Sequence, residues 1–257
     1  MTETAVDTVA LEAKVKAMYR AVAEAPHEKY HFEMGRALAE RLGYPAELLD
    51  QVPTEALASF AGVGYFFDLA DIAAGERVLD LGSGSGTDSF AAAVQVGPGG
   101  HVAGVDMTPE QRLKAERLLA GLSMTQVDFT EGHIEALPFD DGSFDLVISN
   151  GVINLAPDKD LVFAEASRVL GPGGRLVVAD IVTDEQLSRG IVCNADLWAS
   201  CIGGAAQVDA YQEAIERAGL FLVVMKRNPY KFLSDSARAA STKYGVRSIS
   251  LLARKPL

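Results

Sequence analysis

Val78-Leu79-Asp80-Leu81-Gly82-Ser83-Gly84-Ser85-Gly86-Thr87 is a short apolar run that passes without a break into three glycines spaced two apart. Four residues of this kind bounded by glycine read as a buried strand. Glycines directly after a strand let the backbone turn through positive φ and pass close to a ligand. A helix that follows such a turn offers free N–H groups at its start. A plain strand-to-helix turn would use the same glycines. A dinucleotide fingerprint requires GxGxxG. Counted from Gly82, its third glycine would fall at position 87, which is Thr87. The pattern here is GxGxG preceded by Asp80, and that spacing argues against a nicotinamide cofactor. Asp106, at the end of the next predicted strand, would accept from ribose hydroxyls under either reading, so it does not discriminate.

Outward from this turn, strand and helix signals alternate. Strands are expected at 101–106, 126–130, 144–150, 175–181, 220–225 and 248–253. Helices are expected at 109–119, with proline at the start, and at 209–218, closed by Gly219. A further amphipathic helix is expected at 158–170, with Leu161, Ala164, Val169 and Leu170 as its apolar face and Gly171-Pro172-Gly173-Gly174 stopping it. Alternation at this spacing predicts an α/β chain with a doubly wound, mostly parallel sheet. Upstream, Val9, Val15, Met18, Tyr19 and Val22 lie near helical spacing until Pro26. Short helical pieces broken at Gly43 and Pro45 follow, and 52–75 read as a loop. Residues 1–75 are therefore expected to form an N-terminal helical cap. Residues 76–257 are expected to form the sheet domain, with a substrate-side insertion at about 183–207.

The 257 residues carry 23 Lys+Arg against 35 Asp+Glu, a net charge of −12. Such a chain repels nucleic-acid backbone and anionic lipid unless a basic patch compensates. The basic residues near the C-terminus are scattered, so no nucleic-acid or membrane partner is expected. No run approaches the roughly 20 apolar residues that span a bilayer. The beginning, Met1-Thr2-Glu3-Thr4, lacks the basic and apolar parts of a secretory signal. The two cysteines, Cys193 and Cys201, form no CxxC pair, which fits a reduced, cytoplasmic setting.

Four stretches together carry a family resemblance: VLDLGSGSGTDSF (78–90), VAGVDMTPEQ (102–111), LPFDDGSFDLVISNGVINLAPDK (137–159) and RVLGPGGRLVVADI (168–181). They resemble class I methyltransferases that use S-adenosylmethionine, over roughly residues 30–257. VGPGGHVAGVDMTPE and SNGVINLAPDK are similar to the arsenite methyltransferases in particular, as is LWASCIGGA (197–205). The resemblance implies a Rossmann-like, seven-stranded sheet, and a role for each matching residue. Asp80 would lie near the methionine end of the cofactor. Gly82, Ser83, Gly84 and Gly86 would give close backbone approach. Asp106 would take both ribose hydroxyls as a charge-assisted acceptor, with Met107 against the adenine and Gln111 nearby. Gly132, His133 and Ile134 would hold the adenine edge, where relatives commonly have an acid in place of His133. Asn150, Gly151, Val152 and Leu155 would line the cofactor beside its methyl.

Methyl transfer from a sulfonium is an in-line displacement, in which alignment and desolvation do most of the work. A hydroxyl acceptor also needs a base or a metal. Asn154-Leu155-Ala156-Pro157 offers no histidine, and no cluster has metal-ligand spacing. That favours a small acceptor already nucleophilic. The resemblance implies arsenic held by several thiolates. Cys201 matches one such position, Val63 stands where the family has a second in a GCG-type segment, and 241–245 offers no third. Cys201 and Asn154 are the candidates near the chemistry. Tyr30, Tyr65, Phe66 and Trp198 are the expected aromatic wall, whose faces would attract a sulfonium. Methyl transfer to a small-molecule acceptor is the expected activity, and arsenite methylation with external thiols and non-catalytic cofactor binding are the alternatives.

Overall fold

The computed structural model describes residues 7–193, 198 and 202–257. Helix α1 (Thr8–Glu24) opens it, with the Asp7 carboxylate accepting from the Val9 and Ala10 amides as N-cap. Four short helices follow: α2 (Arg36–Leu42), α3 (Ala46–Leu49), α4 (Thr54–Ala58) and α5 (Phe67–Ala70). The last two lie where the sequence predicted loop. Their single turns are too short to show a period, and packing holds them in place.

From residue 77 the alternation holds: β1 (Arg77–Leu81), α6 (Thr87–Val96), β2 (His101–Asp106), α7 (Pro109–Ala120), β3 (Val127–Glu131), β4 (Phe144–Asn150), α8 (Lys159–Val169) and β5 (Leu170–Thr183). A single 3-10 turn, Ile153–Leu155, separates β4 from α8. The remainder is α9 (Arg189–Val192), β6 (Ala206–Gln207), α10 (Val208–Arg217), β7 (Phe221–Arg227), α11 (Asp235–Tyr244) and β8 (Arg247–Arg254). The strands run in the order β3-β2-β1-β4-β5-β8-β7, with two-residue β6 pairing β5 beyond the seven expected strands. β8 runs antiparallel to both β5 and β7, and the pairings from β3 to β5 are all parallel. At the outer end, β7 pairs β8 alone among the described residues, and its register shifts between Leu222 and Val224.

Side chains alternate along the buried strands, so the sheet feeds two cores. Leu79, Leu81, Ala103 and Val105 pack with α8 and α10. Val78, Val102, Leu146 and Ile148 pack with α6 and with cap residues such as Leu38, Leu57 and Phe66. Cap and sheet thus share one apolar core. Arg175 reinforces it from β5, donating to the Ala70 carbonyl and pairing with Glu76. The order reverses beside β1, because β2 lies on one side and β4 on the other. Ligands in open α/β sheets bind at the carboxyl ends of strands flanking such a switch.

Three local expectations are corrected. The buried face of α8 is Val162, Phe163, Ala166 and Val169, while Leu161 and Ala164 face solvent. Both stripes have helical spacing, and the one bearing the phenylalanine won the core. Gly171–Gly174 does not interrupt the chain before a new strand, because β5 begins at Leu170 and shifts register against β4 between Phe144 and Leu146. Helix α11 was not anticipated.

Candidate functional site

A cavity of about 230 Å³ opens over the carboxyl ends of β1, β2 and β4. Its floor is the turn after β1. Gly82, Gly84 and Gly86 there adopt φ of +66°, +54° and +90°. A β-carbon on Gly82 would sit 2.5 Å from both Val152 methyls, and one on Gly86 would sit 2.8 Å from the Phe90 and Phe129 rings. At Gly84 it would meet only Gln111 Oε1, at 3.6 Å. Two glycines are therefore packed shut, and the middle one bares its backbone to the cavity. Ser83 lines the same wall, and its buried hydroxyl has no hydrogen-bond partner among the described residues.

Asp106 fixes this turn. Its Oδ2 accepts from the Gly84 amide at 2.9 Å and its Oδ1 from the Thr108 amide at 2.7 Å. Burial raises its carboxyl above the ordinary range, opposed by those same amides. Met107 lines the cavity next to it and packs against Leu11, Val15, Leu155 and Trp198. Gly132, exposed His133 and buried Ile134 form the opposite rim.

Gln111 lines the cavity, but its amide is spent on two neighbours. Its Oε1 accepts from the Ser85 hydroxyl at 2.5 Å, and its Nε2 donates to the Tyr19 carbonyl at 2.8 Å. It therefore ties α1, which roofs the cavity with Leu11, Val15 and Tyr19, to the glycine turn. Lys114 adds a second tie, donating to the Ala23 carbonyl and to Ser59. Replacing Gln111 with Ala removes both bonds and leaves the buried Ser85 hydroxyl without its acceptor, which costs about 1–3 kcal/mol. Amide exchange in α1 is expected to rise by roughly tenfold or more, as read by hydrogen–deuterium exchange. An unchanged α1 would show that the tie does not hold the roof.

A buried polar network backs the β1–β4 side. Asp80 Oδ2 accepts from the Ser89 hydroxyl at 2.6 Å. Asp88, at the start of α6, accepts from the Tyr44 hydroxyl at 2.6 Å and from Asn150 Nδ2 at 3.0 Å. Asn150 Oδ1 accepts from the Val63 and Gly64 amides, and Nδ2 also donates to the Gly64 carbonyl. Its side chain therefore clamps the cap loop onto the end of β4. Asp80, Asp88 and Asn150 all line the cavity. Burial pushes Asp88 up to about 6. Asp80 is raised well above the usual carboxylate range by burial and by the charge of Asp88. Asp88, Tyr44 and Ser89 were not singled out from sequence. Asp88 sits two residues past the last glycine, a carboxylate in the first turn of the helix that follows, and that was the available signal.

Of the sequence candidates, Asp80, Gly82, Ser83, Gly84, Asp106, Met107, Gln111, Gly132, His133, Ile134, Asn150, Gly151, Val152 and Leu155 all line one cavity. Gly86 lies just beneath, packed on two phenylalanines. The aromatic wall is corrected. Tyr30 donates to the Ala25 carbonyl and stacks on Phe32, away from the cavity. Tyr65 packs edge-on against Tyr44, and Phe66 is buried in the core. The aromatic residues that line the cavity are Tyr19 and Phe60. Trp198 stands behind Leu11 and Leu155, its indole donating to the Val192 carbonyl at 2.6 Å. Asn154 is fully buried off the lining, its backbone N–H on the Asp180 carboxylate. Cys193 is exposed after α9, and Cys201 lies outside the described residues. Among the described residues no helix is long and apolar enough to cross a membrane, and no group of three metal-ligating side chains converges.

The family model of a methyltransferase domain matches residues 72–219. The chain belongs to that family, whose fold is the Rossmann-like sheet of S-adenosylmethionine-dependent methyltransferases. Within it, the chain is 40% identical over 220 residues to an arsenite methyltransferase of Halobacterium salinarum, covering 85% of this chain and 56% of that one. It spans just over half the length of the first curated relatives it matches, 56% and 57%. Among solved structures, an arsenic(III) S-adenosylmethionine methyltransferase from Chlamydomonas reinhardtii is 33% identical, with a TM-score of 0.64 over 88% of this chain and 75% of that one. Geranyl diphosphate C-methyltransferase from Streptomyces coelicolor A3(2), crystallised with S-adenosyl-L-homocysteine, shares the fold at 17% identity, with a TM-score of 0.67 over 94% of this chain and 98% of that one.

Proposed function

We propose that this chain binds S-adenosylmethionine in the β1–β4 cavity and transfers its methyl group to a small-molecule acceptor that is already nucleophilic. The observation that carries this reading is the convergence of bared Gly84, Asp106 and two further buried carboxylates at the switch point of the sheet. Donors and acceptors fit the cofactor. The open backbone at Gly84 allows close approach, and Asp106 keeps acceptor capacity beyond its two backbone bonds. Asp80 and Asp88 face the cavity with negative charge suited to a ligand carrying an ammonium and a sulfonium. When bound, the cofactor supplies an electrophilic methyl group. The chain's own part is to bind, orient and exclude water. Leu11, Val15, Phe60, Val152 and Leu155 supply apolar walls for that purpose. Among the described residues lining the cavity, His133 is the single imidazole, and it sits at the exposed rim. That arrangement favours an acceptor that needs no deprotonation.

A second reading, methylation of arsenite carried on external thiols, is supported by the 40% identity to an arsenite methyltransferase. Against a complete thiolate site stands Val63, buried at 1% exposure against Gly151. The deciding measurement is S-adenosylhomocysteine release by the purified protein, with and without arsenite and an excess of small thiol. Arsenite-dependent release that disappears in Cys201→Ser would establish the arsenite reading. Cofactor binding with no arsenite-dependent release would direct the search to small organic nucleophiles. Binding with no turnover on any acceptor would leave a cofactor-binding module, and transfer would be refuted.

A further inference from the structure

We propose that Asp88 is a positioning residue for the cationic end of the cofactor, forming with Asp80 a two-carboxylate seat for the methionyl ammonium, and that the seat gives up a proton to solvent as the ammonium arrives. The inference rests on the cavity being the S-adenosylmethionine site, and it concerns a residue that no resemblance singled out.

The geometry is specific. Asp80 and Asp88 are 3% and 6% exposed, on β1 and at the start of α6, and both line the cavity. Every group that holds them is neutral: the Ser89 hydroxyl on Asp80, and the Tyr44 hydroxyl and Asn150 amide on Asp88. The charged group facing them from β2 is Asp106, which adds negative charge. Lys16 of α1 acts on Asp106. Among the described residues, none of the ion pairs includes Asp80, Asp88 or Asp106. Buried like charges with no cation are unfavourable, and the relief is a shared proton or an incoming cation. A separate observation on the same wall points to a ligand: the buried Ser83 hydroxyl, 9% exposed, has no partner among the described residues.

The raised carboxyls agree with this geometry. Burial pushes Asp88 up to about 6, so near that pH the free pair holds a proton. An ammonium beside the pair favours its ionised form, and the proton leaves. Release is largest where the free pair still holds a proton and the liganded pair does not, and the share carried by Asp88 falls as pH rises above about 6, because that carboxyl is then already ionised before the ligand arrives.

The test is calorimetry of S-adenosylhomocysteine and S-adenosylmethionine binding, at pH 6 and pH 8, in buffers of different ionisation enthalpy. On the order of half a proton or more is expected to be released at pH 6, with both ligands, and less at pH 8. Asp88→Asn is expected to reduce the release at pH 6 and to weaken binding at pH 8 by roughly ten- to hundredfold. Tyr44→Phe removes a donor that favours the ionised carboxylate, so release should persist to higher pH. A merely structural role for Tyr44 would not move that profile. Equal release by wild type and Asp88→Asn, or no release by wild type at pH 6, would overturn the proposal. Release with S-adenosylmethionine alone would assign the seat to the sulfonium and overturn the ammonium assignment. Failure of wild type to bind either ligand at any pH would overturn the cofactor reading itself, and this inference with it.

Discussion

Asp106→Ala is expected to weaken S-adenosylmethionine binding by roughly a hundredfold, the largest loss of any single side chain at the cavity. The carboxylate does two jobs at once. It accepts from the Gly84 and Thr108 amides, which holds the glycine turn in its binding shape. It also keeps lone pairs to offer ribose hydroxyls in the proposed complex. Hydrogen bonds to a charged acceptor are worth about 1.5–3 kcal/mol each, and losing even one or two accounts for the expected effect. Asp106→Asn retains shape and part of the acceptor capacity, so a loss nearer tenfold is expected. Titration calorimetry reads both variants. Wild-type affinity in Asp106→Ala would remove this residue from the site.

Gly82→Ala should strike stability rather than affinity. Its φ of +66° costs an L-residue about 1–2 kcal/mol. The new methyl would meet both Val152 methyls at 2.5 Å, and overpacking of that kind costs about 1–3 kcal/mol more. The expected total, about 2–5 kcal/mol, is a large share of the 5–15 kcal/mol typical of a folded domain. Gly84→Ala is the informative contrast. Its φ is also positive, but its nearest neighbour would be a glutamine oxygen at 3.6 Å. The Gly84 variant should therefore keep most of its stability and lose cofactor affinity, because its methyl fills the approach to the loop. Urea unfolding and calorimetry on both variants separate the two effects. A Gly84 variant less stable than the Gly82 variant would reverse this assignment.

The sheet was legible where one short apolar run per strand was enough. The predicted β2 and β4 match the observed limits, and β1, β3, β7 and β8 fall within a residue or two. Much of the cavity lining was legible too, because the glycine turn, Asp106 and Asn150 all lie at the carboxyl ends of adjacent parallel strands. What stayed hidden depends on contacts distant in sequence. Nothing local to Tyr44 indicates that its hydroxyl reaches Asp88, 44 residues on. Nothing local to Tyr30 or Tyr65 shows that their rings turn away from the cavity while Tyr19 and Phe60 turn toward it. Helix α11 escaped because its buried residues, Ala237 and Ala240, are small and give almost no apolar stripe. In α8, two stripes offered the same spacing, and only tertiary packing chose between them.

The outer strand β7 carries Phe221 at 49%, Val223 at 49% and Val224 at 38% exposure, with one ladder edge open. A flat strand of that composition is a template for growth into the sheet of another molecule. The register shift between Leu222 and Val224 twists the edge out of a continuous ladder, and Lys226, paired with Asp68, and Arg227 set charge at its end. Irregularity at this strand is therefore protective. It lets the chain keep an apolar, exposed margin without offering neighbours a straight row of amides on which to aggregate.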